Sequence, residues 1–180
     1  LNRSQPPLLL DIVERYAEAC LKAPEEHDRF MRRAVPILLR EYSFWMGHRA
    51  VDMSIASRSG TDGIVGTDNN AGIQNSTKIL NVYRADSQDP RPESYREDTL
   101  IAPMAASAAA FYRDIGSAAE SGWDFSSRWF APGSMDMSTI RTSRIIPVDL
   151  NAVLYRNERR LAQLVGSVLG DAGLASDLNK

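Results

Sequence analysis

The chain has 180 residues, 43% hydrophobic and 24% charged, with 21 basic and 23 acidic side chains and a net charge of −2. This is the composition of one globular domain with room for a core, and it argues against nucleic acid or an anionic membrane as the main partner, which would call for a basic surface. Cys20 is the only cysteine and His27 and His48 the only histidines. An intrachain disulfide and a zinc–thiolate motif are therefore excluded, a Ser-His-Asp machine has little to draw on, and any chemistry falls to carboxylates. Lysine is confined to Lys22, Lys78 and Lys180, and arginine supplies the other 18 basic residues. That bias fits either genomic codon usage or planar hydrogen-bonding forks in a site. No apolar run approaches the roughly 20 residues that span a bilayer.

Leu9, Val13, Tyr16 and Cys20 recur at three- and four-residue spacing and predict a first helix, opened near Ser4 and Pro6-Pro7 and stopped by Pro24. A second is expected over 25–46, with Phe30, Ala34, Leu38 and Trp45 on one side, a kink or division at Pro36 and an end at Gly47. Residues 52–76 carry Gly60, Gly63, Gly66 and Gly72 among Ser, Thr, Asp and Asn and read as a surface loop. No lysine follows those glycines in phosphate-loop spacing. Residues 79–83 read as a short strand or extended segment before a turn at Asp89-Pro90.

Ser94-Tyr95-Arg96-Glu97 has the form of a capping box and opens a third helix, which Pro103 bends. Met104, Ala108, Phe111, Ile115 and Ala119 then form a stripe, and Gly122 supplies the left-handed residue that ends the helix. Residues 123–130 fall on the loop just beyond, a usual place for site residues on a rigid scaffold. Asp149 reads mainly as the cap of a last helix, with Leu150, Leu154, Leu161, Val165, Val168 and Leu169 mostly on one face and Gly170 and Gly173 at its end. The pattern predicts an all-α protein of helical hairpins joined by loops, one domain over residues 1–180.

The densest chemistry lies in Ser121-Gly122-Trp123-Asp124-Phe125-Ser126-Ser127-Arg128-Trp129-Phe130. Burial of Asp124 between Trp123 and Phe125 would raise its pKa and suit it to general acid catalysis near neutral pH. Flat aromatics offer a sugar ring its apolar faces, and the hydroxyls and Arg128 offer hydrogen bonds. The plainer alternative is that Asp124 caps a turn or pairs with Arg128. Trp123 and Trp129 could wall a pocket, while Trp129 and Phe130 fit core packing equally well.

Three segments, in order, resemble the trehalase family of glycoside hydrolases. They are Asn2-Arg3-Ser4-Gln5-Pro6-Pro7-Leu8-Leu9, Arg91-Pro92-Glu93-Ser94-Tyr95-Arg96-Glu97-Asp98, and the stretch from Ala118 to Phe130, which continues in Ile145-Ile146-Pro147-Val148-Asp149-Leu150-Asn151-Ala152. The resemblance implies an (α/α)6 barrel, of which this chain would hold about half. It implies hydrolysis of α,α-trehalose to two glucose molecules with inversion and no metal or organic cofactor, with Asp124 as general acid. It places substrate contacts at Arg3, Ser4, Gln5, Arg91, Pro92, Glu93 and Gly122. Arg3 and Arg91 would donate to sugar hydroxyls and Glu93 would accept from them or hold an arginine. The alternatives are a disordered terminal Arg3 and a surface Arg91–Glu93 ion pair.

The family's general base is a glutamate in a C-terminal half that this sequence does not contain, and Glu93, Glu97, Asp98 and Glu120 do not match it. The chain is therefore expected to be an internal fragment of a catalytic domain, inactive and unstable alone. By family analogy secretion is favoured, and cytoplasmic members also exist. Two departures from the family pattern are the long glycine-rich stretch over 52–76 and Leu80-Asn81-Val82-Tyr83 where Leu-Asn-Arg-Tyr is common. A catalytically inactive sugar-binding protein on the same scaffold, or a glycosidase for another glucoside, are the alternative functions.

Overall fold

A computed structural model describes residues 4–53 and 79–179. The expected loop over 52–76 and the site residue Arg3 lie largely or wholly outside them. Within the described residues the fold is all-α: α1 (Leu9–Cys20), α2 (Pro24–His48), α3 (Tyr95–Ile101), α4 (Ala108–Ser121), α5 (Val148–Leu164) and α6 (Ala172–Asp177). The one described sheet is an antiparallel ribbon of β1 (Ala50–Asp52) and β2 (Ile79–Asn81), with Ala50 opposite Asn81.

Helix α2 runs unbroken for 25 residues through both Pro36 and Gly47. The expected division at Pro36 does not occur because Pro36 is exposed, as is Arg32 one turn earlier. The carbonyl that loses its partner can turn to water, so the helix tolerates the ring. Gly47 stays helical because the terminal bond is made two residues later, by the Arg49 N–H to the Trp45 carbonyl at 3.1 Å. Pro24 is the first residue of α2, where a missing N–H costs nothing, and α1 has already ended at Cys20.

The third expected helix is two helices. Pro92–Ser94 forms a 3-10 turn, so Ser94 makes no side-chain cap and the capping box is not built. Pro103 lies in a second 3-10 turn, Ala102–Met104, where the helix stops instead of bending. Helix α4 restarts at Ala108, and the Ser107 hydroxyl accepts from the Ala110 N–H at 3.4 Å. Met104 consequently leaves the stripe and is exposed, while Phe111, Ile115 and Ala118 carry it inward. Gly122 adopts φ +71° and ends α4 as expected. Helix α5 continues through a π-helical turn, Val165–Leu169, to Gly170 at φ +72°, and Gly173 lies inside α6.

Two apolar clusters form. One joins α1, α2, α5 and α6 through Leu10, Val35, Leu38, Leu161, Val165 and Leu178. The other lies under the loop that follows α4 and contains Trp45, Tyr83, Phe111, Trp129, Leu150 and Leu154. In it Tyr83 stands edge-on to Trp45 (centroids 5.9 Å apart) and to Trp129 (6.3 Å). Such pairs add about 0.5–1.5 kcal/mol each beyond their buried area and give the loop above them a stiff floor. Among the described residues no helix is long and apolar enough to cross a membrane.

Candidate active site

The left-handed Gly122 turns the chain out of α4, and short bonds then fix the loop. The Ser121 hydroxyl accepts from the Trp123 N–H at 3.0 Å. The Trp123 carbonyl accepts from the Ser126 N–H at 2.8 Å and from the Trp129 indole N–H at 3.0 Å. Trp129 is thereby drawn fully into the core, at 0% exposure, and Trp123 is left 56% exposed above it. Trp123 lines the cleft, whereas Trp129 does not line an open pocket, because its ring is buried in the core.

Asp124 is exposed, and its peptide bond to Phe125 is cis. The burial expected of it between two aromatics is absent. Trp123 stays in solvent, and Phe125 is engaged elsewhere, under the Arg91 guanidinium at 4.8 Å from its ring centroid. Nor is Arg128 the partner of Asp124. Its Nη1 donates to Asp149 Oδ2 at 2.8 Å, and its plane lies 4.8 Å from the Trp129 centroid and 5.5 Å from that of Trp123. Asp149 is in the first turn of α5, where it favours the helix dipole, and does not act as the N-cap.

Arg91 is buried, and its fork goes to Asp98. Nε donates to Oδ2 at 2.9 Å and Nη2 to Oδ1 at 2.7 Å, and the Arg91 backbone N–H adds a third bond at 3.0 Å. Asp98 is itself fully buried. This planar pair holds the guanidinium against Phe125, so the second motif is docked on the third. Pro92 and Glu93 are exposed at the start of the 3-10 turn beside it.

The first motif reaches the same place. The Ser4 backbone N–H donates to Glu120 Oε1 at 3.3 Å, and the Ser4 hydroxyl bonds to the same oxygen. Pro6 lies next to Gly122, where an added Cβ would meet its ring at 3.5 Å. Gln5 is exposed between them. A cleft of about 380 Å³ opens there, lined in part by Pro6, Leu8, Tyr83, Gly122, Trp123 and Asp149. That is within the range of small-molecule sites. Burial, reinforced by the nearby charges of Asp149 and Glu120, pushes the Tyr83 phenol well above its ordinary value of 10, so it remains a neutral hydroxyl.

Segments distant in sequence thus meet: Ser4 on Glu120, Pro6 beside Gly122, and Arg91 over Phe125. Three residues hold them, in roles that the sequence alone did not give: Asp98 and Glu120, noted only as carboxylates that do not match the base, and Arg49. Asp98 carries Arg91. Glu120 carries Ser4. Arg49, whose side chain is 1% exposed, donates from Nε to Glu120 at 2.9 Å. A carboxylate two residues ahead of the helix-ending glycine was the available signal for Glu120, whereas nothing local marks Arg49.

Comparison with known proteins matches residues 1–179 to the family described as Trehalase. A trehalase of Dictyostelium discoideum is 42% identical over 166 residues, covering 90% of this chain and 25% of its own length. A periplasmic trehalase of Citrobacter koseri is 38% identical over 96% of this chain and 28% of its own. One from Xanthomonas campestris pv. campestris is 40% identical over 91% and 26%. The chain therefore spans about a quarter of the length of these relatives. With a match along nearly its whole length and relatives at 38–42% identity, the chain belongs to the trehalase family.

Proposed function

We propose that this chain is part of a trehalase catalytic domain and that the whole protein hydrolyses α,α-trehalose to two glucose molecules with inversion. The observation that supports the proposal is that the motif segments pack on one another, Ser4 on Glu120 and Arg91 over Phe125, around the end of α4 and the loop that carries the exposed Trp123 and Asp124. Asp124 protonates the bridging oxygen as the glycosidic bond breaks. Water attacks the anomeric carbon from the opposite face, and a general base takes its proton. In inverting enzymes the two carboxyl groups stand about 6.5–9.5 Å apart to admit that water. The base is the family's glutamate in a segment outside this sequence. In this reading Trp123 offers trehalose an apolar face, and the family resemblance assigns substrate contacts to Arg3, Ser4, Gln5, Arg91, Pro92 and Glu93, with Gly122 contributing backbone.

The helices make up about half of an (α/α)6 barrel. Exposed apolar side chains on their outer faces, among them Ile12, Tyr16 and Ile37 of α1 and α2, support the need for further helices against them. No cofactor enters the reaction. The named periplasmic relatives favour an extracytoplasmic location.

The test is glucose release from trehalose by the full-length protein, with Asp124→Ala alongside and the anomers followed by NMR. Release of one α- and one β-glucose, lost in the variant, is the expected result. Undiminished release by the variant overturns the acid assignment. Trehalose binding without release by the unaltered protein replaces the hydrolase with an inactive sugar binder.

A further inference from the structure

We propose that Glu120 is a positioning residue for sugar binding, which sets the Ser4 segment against the loop that carries Asp124. The inference rests on the trehalase reading above. Glu120 is fully buried near the end of α4, two residues before Gly122, so its carboxylate is fixed to the same rigid element that launches Trp123 and Asp124. Its two oxygens accept from three separate parts of the chain. Oε1 takes the Ser4 N–H at 3.3 Å, the Ser4 hydroxyl, and Arg49 Nε at 2.9 Å. Oε2 takes the Arg84 N–H at 3.1 Å.

A carboxylate can accept all four of these bonds and donates none, which no neutral side chain of the same length can do. Ser4 buries little apolar surface of its own, being half-buried, so its place depends on polar bonds. Arg49 is braced in turn, with its guanidinium 4.8 Å from the Phe44 ring centroid and Nη1 3.7 Å from Asp86. The Arg84 N–H ties down the exit of the β-ribbon, just before the segment that leads to Arg91. One carboxylate therefore sets the spacing between the N-terminal motif, the ribbon and the end of α4. Asp124 does not depend on it directly, because the loop beyond Gly122 has its own bonds to Ser121 and Trp129.

This division predicts a specific kinetic signature for Glu120→Gln in the full-length protein. An amide presents an NH2 to one set of donors and lets go of Ser4 or Arg84. KM for trehalose should rise about tenfold, the worth of one hydrogen bond to a charged group, while kcat holds within about threefold. Amide hydrogen exchange over residues 4–8 should accelerate. A purely structural role would act differently: a smaller folded fraction lowers apparent kcat and leaves KM alone. Unchanged KM together with unchanged exchange over residues 4–8 overturns the proposal, as does a loss confined to kcat. If the Gln variant does not fold, Glu120→Asp keeps the charge for Arg49 and shortens the reach to Ser4. It should show the same rise in KM, and an unchanged KM overturns the proposal there too. Turnover by the unaltered protein reports separately on the trehalase reading, since the positioning is judged from ratios to that protein and from exchange.

Discussion

Arg128 donates to Asp149 at 2.8 Å while its guanidinium lies over the rings of both Trp129 and Trp123, at 4.8 and 5.5 Å from their centroids. A single planar cation thus links the buried Trp129 of the core, the exposed Trp123 at the cleft and the first turn of α5. Both charged groups are more than a third exposed, so the ion pair itself contributes at most about 1 kcal/mol. Its value lies in orientation, since the flat group stacks while it bonds.

Arg128→Lys keeps the charge and loses the plane. Stability to urea should fall by no more than about 1 kcal/mol. On the proposed function, glucose release from trehalose by the full-length protein should fall by more than that corresponds to, through a higher KM as Trp123 loosens. Equal KM for variant and parent would mean that the stacking does not orient Trp123.

Asp98 illustrates the opposite regime, a pair out of solvent. Asp98→Ala leaves Arg91 buried with neither of its fork bonds nor its backbone bond answered. Removal of one partner of a buried pair costs about 3–5 kcal/mol. Urea unfolding of the variant should show a loss of that size, and a loss under about 1 kcal/mol would show that water reaches Arg91.

The two tryptophans should separate cleanly. Trp129→Ala opens a core cavity and should cost about 3–5 kcal/mol. Trp123→Ala removes an exposed ring and should leave stability within about 1 kcal/mol while, on the proposed function, raising KM for trehalose in the full-length protein. Thermal melts and steady-state kinetics on the pair check both halves. Comparable destabilisation by the two would contradict the assignment of Trp129 to the core and Trp123 to the surface.

The helices and the turn at Gly122 were legible because periodicity and a left-handed glycine are local signals. The misplacements share a cause, since each depended on what lay opposite. Pro36 could not be known to face solvent, and Ser94 could not be known to enter a 3-10 turn ahead of α3. Asp124 looked buried because its neighbours are aromatic, yet Phe125 spends its face on Arg91 and Trp123 stays in solvent. In the site, the groups expected to touch sugar were visible as motifs. The holding roles of Asp98 and Glu120, which lie in those same motifs, and of Arg49, which lies in none, were not, because Arg49 meets Glu120 across 71 residues and Ser4 meets it across 116.

Glu41 gives stability a pH dependence whose sign can be fixed. It lies half-buried on α2, beside a small cavity also lined by Leu10, Leu38, Trp45 and Leu154. Loss of solvent pushes its carboxyl above the ordinary value of 4.5. Between that value and its raised folded value, the folded protein holds this proton more tightly than the unfolded chain does. The unfolded state binds fewer protons there, so stability falls as pH rises through the window and stays lower above it. Glu41→Gln removes the ionisation and keeps the shape. Its melting temperature should exceed that of the parent near pH 7, and the two curves should converge as pH drops toward about 4. A difference that stays constant across that range would mean that the buried charge carries no penalty and that Glu41 reaches water.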